Sequence, residues 1–174
     1  MRPENVGKLE KLKTISRYLR KFTRLILVVL PFCLVIEDLV VLFGQNTSID
    51  LLDMSYPIAG EPFRVRVALI VVMDLFLVVA FKRLYHLFKL FGNYSSGEVF
   101  TTDSARQIRQ IGITAVLVGG LNMLTVFVPP ALLAHSPHAI KLSLLAAFHG
   151  VVTIAISWIM EMAAELREEN ELTV

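Results

Sequence analysis

Four apolar runs, each about as long as a bilayer is thick, constrain this chain more than any other feature of its sequence. They lie near residues 24–44, 66–87, 111–133 and 140–163. A helix needs roughly 20 apolar residues to cross about 30 Å of hydrocarbon, and each run meets that length. The composition agrees, since 55% of the 174 residues are hydrophobic and only 18% are charged. The sequence therefore predicts an all-α fold, an integral membrane four-helix bundle.

The positions of the lysines and arginines predict how this bundle is oriented. They are concentrated in residues 1–24 and 82–109, while the two other connections hold only Arg64, Arg66 and Lys141. Cytoplasmic loops of membrane proteins carry the excess of basic residues, so both termini are predicted to be cytoplasmic. No small-residue cleavage site follows the first run, so we expect it to remain as a helix rather than to be removed as a signal peptide.

Residues 1–23 predict a basic amphipathic juxtamembrane helix before the first span. Apolar residues recur there at spacings of three or four, with cations between them: Val6, Leu9, Leu12, Ile15, Leu19 and Phe22. Such a helix is expected to contact the anionic lipid headgroups of the inner leaflet. Two roles remain open for it, a simple topology anchor and a docking surface for a soluble partner.

A cytoplasmic elbow, residues 88–110, is predicted between the second and third spans. Gly92 and Asn93 are expected to end the second helix with a left-handed cap, and Thr101, Thr102 or Asp103 to accept hydrogen bonds from the first amides of the third. The candidate elbow residues are Gly97, Phe100, Thr101, Asp103, Arg109 and Gly112. Residues 164–174 form an acidic cytoplasmic tail that favours helix to about Glu169.

Glu37 and Asp38 are adjacent carboxylates inside the first apolar run. One ionised carboxylate at mid-membrane costs roughly 2.5 to 3.5 kcal/mol, so both are expected to face partners, water or a proton. Counting about 1.5 Å per residue brings polar residues of the other spans to a similar depth. The predicted intramembrane polar layer is Glu37, Asp38, Asp74, Asn122 and His149, with Arg64 and Arg66 above it as ion-pair partners.

The pattern leaves the purpose of the polar layer open. It suits a structural hydrogen-bond network, a proton held between acids, or a divalent cation, and spacing alone does not identify a metal. Small residues on the third and fourth spans indicate close helix contacts, either within the chain or in a homodimer: Ala115, Gly119, Ala146, Gly150, Thr153 and Ser157. The sequence carries no His-Glu-x-x-His, Gly-x-Ser-x-Gly, phosphate-binding glycine loop or Cys-x-x-Cys, so it predicts no enzyme and no cofactor.

Two cytoplasmic segments resemble a known family. They read Gly97-Glu-Val-Phe-Thr-Thr-Asp-Ser-Ala-Arg-Gln-Ile-Arg-Gln-Ile-Gly112 and Ala164-Glu-Leu-Arg-Glu-Glu-Asn-Glu-Leu-Thr-Val174. Both are similar to segments of the DUF2975 family of small prokaryotic four-helix membrane proteins. The resemblance implies a bacterial inner-membrane protein, and some members resemble partners of small helix-turn-helix regulators encoded nearby. Nothing in the sequence predicts direct binding to nucleic acid.

Two functions are therefore expected to compete. The first is a non-enzymatic regulatory or sensory protein, in which the polar layer biases the bundle while the elbow and tails engage a soluble partner. The second is a small ion- or proton-coupled transporter, or an ion-binding protein, that uses the intramembrane carboxylates. Four helices are few for a transporting monomer, so the second function implies an oligomer.

Overall fold

Four long helices and one short hairpin form the protein in a computed structural model, which describes residues 3–44, 48–51, 54–57, 60, 62–125 and 137–172. The helices are α1 (Pro3–Phe43), α2 (Phe63–Ser96), α3 (Thr102–Thr125) and α4 (Pro137–Leu172). The four helices predicted from the apolar runs are thus confirmed. Residues 126–136, which include the predicted end of the third span, lie outside the described residues.

The hairpin between α1 and α2 was not predicted. Its strands are β1 (Ser48–Leu51) and β2 (Met54–Pro57), which pair antiparallel with Ile49 opposite Tyr56. Apolar residues alternate with polar ones along both strands, and this period of two is the signal that indicates a short hairpin.

Helix α1 is longer than the membrane span predicted within it. It joins the basic N-terminal segment to the first apolar run in one helix of 41 residues, and it continues through Pro31. At 1.5 Å per residue it extends about 60 Å. The basic segment therefore projects along the axis of the first span and packs against the end of α2, with Arg20 over the ring of Phe88.

The predicted end of the second helix is wrong. Helix α2 runs through Gly92 and Asn93 to Ser96, and Gly97 (φ +90°) is its left-handed cap. The backbone N–H groups of Gly97 and Glu98 donate to the carbonyls of Tyr94 and Asn93, which closes the last turn. Gly92 has a different use, because a Cβ there would lie 3.4 Å from the guanidinium carbon of Arg20. It makes room for a neighbouring helix.

The helices pack in chain order, α1 on α2, α2 on α3, and α3 on α4. Within the described ranges no comparable packing joins α1 to α4. The fold is therefore an open array with α1 at one edge and α4 at the other, rather than a bundle closed on itself. Each helix runs antiparallel to the next, so α1 and α4 also run in opposite directions.

Two glycines let α3 and α4 approach until their backbones touch. A Cβ on Gly112 would lie 2.8 Å from the carbonyl oxygen of Gly150, and a Cβ on Gly150 would lie 2.7 Å from that of Gly112. Both distances are too short for any side chain. The small residues of these two helices therefore serve packing within the chain, and Ala115 and Ser157 are buried beside them.

The surfaces of the helices suit a lipid environment. Two helical segments, Leu9–Phe43 and Leu144–Glu169, are long and apolar enough to cross a membrane. Large apolar side chains cover their outer faces, with Phe32 68% and Phe148 65% exposed. Monomeric soluble proteins rarely expose so much contiguous apolar surface. These helices thus support association with a membrane.

Candidate functional site

The start of α3 is held by a compact set of hydrogen bonds in the turn that follows α2. Thr101 Oγ1 accepts the backbone N–H of Ser104 (3.2 Å), so Thr101 is the N-cap among the three candidates. The fully buried Ser104 hydroxyl donates to the carbonyl oxygen of Glu98 (2.8 Å), and the Thr101 hydroxyl donates to Ser104 Oγ (3.1 Å). The turn is therefore fixed by directional bonds.

A chain of side chains extends from this turn and joins α2 to α3. Asn93 Nδ2 donates to Asp103 Oδ2 (2.7 Å), Gln107 Nε2 donates to Asp103 Oδ1 (3.3 Å), and His86 Nδ1 lies 2.8 Å from Gln107 Oε1. Because the Gln107 amide nitrogen faces Asp103, its oxygen faces His86. His86 must then carry a proton on Nδ1 and donate it. We call His86, Asn93, Asp103, Ser104 and Gln107 the elbow junction.

Helix α1 packs onto the same end of the array. The Lys13 side chain lies so near Gly97 that a Cβ there would be 2.8 Å from Lys13 Cε. Ser16 and Thr23 are buried on the α2 side of α1. Burial also raises the pKa of the Tyr94 phenol above its ordinary value, so this hydroxyl stays neutral. Helices α1, α2 and α3 thus pack against one another around the elbow.

The outer surface of the elbow presents an aromatic ring and charged groups to its surroundings. Phe100 is 53% exposed at the turn, and Asp103 and Arg106 are exposed beside it. Arg109 forms an ion pair with Glu161 of α4 (3.9 Å), which links the last helix to the same region. This pair is half exposed and adds little to stability. The elbow therefore combines a rigid interior with an aromatic and charged exterior.

The structure divides the predicted polar layer. Asp38 lies close enough to Asp74 for the two carboxylates to repel each other across the seam between α1 and α2. Glu37 is rotated by about 100° from Asp38 and lies on the other flank of that seam. All three are half-buried, and in the described part of the chain they make no hydrogen bond or ion pair.

The other two members of the layer belong to the second half of the array. Asn122 is half-buried on α3, and His149 is exposed on α4, with its Nδ1 2.8 Å from the Leu145 carbonyl oxygen. Among the described residues, no group of three His, Cys, Asp or Glu side chains is arranged to hold a metal ion. Glu37 and Asp38 on α1 and the His149 imidazole on α4 thus lie on the two edge helices of the array, and Asp74 lies on α2 beside α1.

Arg66 has a role that the sequence did not indicate. Its Nη1 lies 2.9, 3.2 and 3.4 Å from the carbonyl oxygens of Gly44, Leu42 and Val41. It therefore caps the C-terminus of α1, whose last turn has no basic residue of its own. Arg64 is exposed.

His86 and Gln107 were also missed as interacting residues. Gln107 is 6% exposed, which is unusual for a glutamine in a helix rich in apolar positions. The signal available in the sequence was its position four residues after Asp103, on the same helix face.

Comparison with known proteins places the chain in one family. No curated protein and no solved structure matches it. Residues 53–174 match the family described as "Protein of unknown function (DUF2975)", and this match covers well over half of the 174 residues. It includes the hairpin strand β2, the elbow junction and helices α2 to α4. The chain is therefore a member of the DUF2975 family.

Proposed function

We propose that this protein is a non-enzymatic, multi-pass protein of the bacterial inner membrane, with both termini cytoplasmic, and that it regulates or senses through a soluble partner. Its four long helices, their exposed apolar faces and the concentration of basic residues toward the elbow end support this placement. The elbow, the start of α1 and the end of α4 then share the cytoplasmic side.

The arrangement of the elbow junction is the main support for the proposed regulatory role. Its hydrogen bonds, some exposed and some half-buried, hold α2 and α3 in one geometry. Helices α1 and α4 contact the same region through Lys13 and Glu161. A shift between the spanning helices would therefore displace the exposed Phe100 surface. Coupling of the membrane spans to the Phe100 surface requires packed elements that can adopt two discrete arrangements. The helix ends that meet at the elbow are the elements we propose for this role.

The partner we propose is a small helix-turn-helix regulator, docked on the elbow. An exposed aromatic ring flanked by an arginine is typical of the residues that contribute most to protein interfaces. Phe100 is exposed at the turn, and Arg106 is exposed in the first turns of α3 that follow it. The chain itself is not expected to bind nucleic acid directly.

The first test is whether a helix-turn-helix regulator is encoded beside this gene, and its absence would count against this partner. The second is binding of that purified regulator to membrane vesicles that contain the full-length chain. Phe100→Ala should weaken binding at least tenfold, as loss of a central aromatic residue does at other interfaces. Phe63→Ala is the matched control, because Phe63 is even more exposed than Phe100 (69% against 53%) but lies at the opposite end of α2. Equal binding by both variants and the wild type would refute the elbow as the docking site.

The basic part of α1 supports contact with anionic lipid headgroups. Arg17 and Lys21 line a shallow cleft of about 130 Å³ together with Thr14 and Tyr18. On the proposed orientation this cleft lies at headgroup level, where each cation gains on the order of 1 kcal/mol from an anionic leaflet. Replacing both cations by glutamine should reduce the rise in thermal stability that phosphatidylglycerol gives over phosphatidylcholine. An unchanged rise would exclude this contact.

A transport function is the second candidate, and the closeness of Asp38 to Asp74 favours it. Two carboxylates from neighbouring helices inside an apolar layer are typical of proton or cation pathways. Proteoliposomes should then show a proton or cation flux that falls sharply in Asp74→Asn and in Glu37→Gln. Absence of any flux from the wild-type protein would remove this candidate.

A further inference from the structure

We propose that two copies of the chain join in the membrane through opposite edges of the array, with Glu37 of α1 in one copy hydrogen-bonded to His149 of α4 in the other. The proposal rests on the membrane placement above but not on the elbow as a docking site. A two-fold axis normal to the membrane makes this contact twice, once at each edge, and closes the open array.

The open edges are the first argument. Among the described elements, the extensive packing of α1 is on α2 and that of α4 is on α3, so each edge helix presents most of its circumference outward. Tracing each helix at 100° per residue from its packed positions puts Glu37 and His149 on the same face of the array, and Asp38 and Asp74 on the other. A second copy facing that side brings α1 of each chain to α4 of the other.

The chemistry of His149 is the second argument. Its Nδ1 lies 2.8 Å from the Leu145 carbonyl oxygen, so Nδ1 carries the proton and Nε2 presents a lone pair. No hydrogen bond reaches Nε2 from the described residues, although the side chain is exposed within an apolar helix face. Hydrocarbon offers this nitrogen no donor, so leaving it without a partner is unfavourable, and a donor from a second chain would satisfy it.

Glu37 supplies the complementary group. Its carboxyl group is half-buried and makes no hydrogen bond or ion pair within the described chain. A carboxyl O–H donated to imidazole Nε2 satisfies both side chains, and transfer of that proton to the ring leaves an ion pair of the same geometry. Asp38 does not compete for this imidazole, because the 100° step between adjacent residues puts it on the other flank of α1, where Asp74 is its charged neighbour.

The depths of the two groups match once the side-chain directions are included. The contacts between successive helices put His149 about one to two helical turns nearer the elbow than Glu37. Side chains lean toward the N-terminus of their helix. Because α1 and α4 run in opposite directions, Glu37 leans toward the elbow end and His149 leans away from it, so the two side chains converge.

The native cysteine allows a direct test in membranes. Cys33 is exposed on α1, one turn nearer the elbow than Glu37 and on the same side. One tagged copy keeps Cys33 as its single cysteine, and a second, differently tagged copy carries Cys33→Ala with Val152→Cys, one turn nearer the elbow than His149. Oxidation of membranes that contain both copies should give a disulfide between the two tags. The matched control is Val151→Cys, at the same depth but rotated by about 100° on α4.

We expect at least fivefold more disulfide with Val152→Cys than with Val151→Cys. His149→Ala in the second copy, or Glu37→Ala in the first, should reduce that yield to the control level. The exchanged chain, with both Glu37→His and His149→Glu, should restore it, which also shows that the single variants lost the contact rather than the fold.

Equal disulfide yields from Val152→Cys and Val151→Cys would overturn the proposal. The edge helices would then contact lipid rather than a second chain. A yield that His149→Ala does not change would also overturn it, since some other contact would then join the copies. Phe100→Ala should form the disulfide as the wild type does. Failure of the dimer is thereby distinguished from failure of the elbow as a docking site.

Discussion

The elbow junction and the carboxylates of α1 and α2 both concentrate polar groups, but among the described residues it is the elbow groups that have hydrogen-bond partners. In the elbow, Asp103 accepts hydrogen bonds from Asn93 and Gln107. Near the other end, Asp38 has the repelling Asp74 as its charged neighbour. Directional bonds fix a geometry, whereas half-buried acids without donors leave one open. The first region therefore defines the fold, and the second is suited to a proton, an ion or another chain.

The largest expected effect tests the α3–α4 contact that lies between these regions. Gly150→Ala places a methyl group 2.7 Å from the Gly112 carbonyl oxygen. Because both atoms belong to packed backbones, the helices must separate, and we expect the free energy of unfolding in bicelles to fall by about 3 kcal/mol. Gly120→Ala is the control, since nothing lies within 4 Å of its Cβ. It should leave stability equal or raise it by up to about 1 kcal/mol. Similar losses in both variants would contradict the close contact.

A second prediction breaks the hydrogen-bond chain of the elbow. Gln107→Leu keeps a buried side chain of similar size but removes the acceptor for His86 and the donor to Asp103. We expect a loss of about 2 kcal/mol, because two polar partners lose a hydrogen bond in a partly buried site. The ¹⁵N resonances of His86 should also shift as Nδ1 loses its acceptor. Arg106→Leu, on the exposed face of the same helix, should change stability by less than about 0.5 kcal/mol.

The number of helices could be predicted from the sequence, but their lateral order could not. Apolar run length and basic residues indicated four helices, and their number is confirmed because hydrophobic burial depends on composition more than on detail. Depth counting placed Glu37 and His149 in one layer, but it could not show that α4 packs on α3 alone. Lateral order depends on specific contacts such as that of Gly112 with Gly150, which only the folded chain displays.

Helix ends show the same limit on a smaller scale. Gly92 looked like a stop signal, yet it lies within α2 beside the Arg20 guanidinium, and the cap is Gly97, five residues later. Two glycines with similar local sequence signals thus serve different purposes, one steric and one conformational. Packing against the neighbouring helix determines which glycine ends α2, and local helix propensity does not contain that information.

A third prediction concerns the contact of Arg66 with the end of α1, on the side of the array farthest from the elbow. Arg66→Met removes the donor shared by three carbonyl oxygens at the C-terminus of α1. We expect unfolding free energy to fall by about 1 to 2 kcal/mol, since these carbonyls then lose a charged donor. Amide exchange over residues 36–44 should accelerate in parallel. Arg64→Met serves as the control, and an equal loss in both variants would indicate a general charge effect instead.

The smallest expected effect comes from making the same kind of change, aspartate to asparagine, once near the α1–α2 carboxylates and once in the elbow junction. It compares the two regions most directly. Asp74→Asn removes a charge that repels Asp38, so we expect stability to rise by about 0.5 kcal/mol. Asp103→Asn replaces an acceptor oxygen with a donor nitrogen facing Asn93 or Gln107, so we expect a fall of about 1 kcal/mol. The two variants differ in sign because the first aspartate faces a like charge and the second faces two donors. Denaturation of each in the same bicelles measures this difference, and a fall in both would mean that Asp74 too has a stabilising partner.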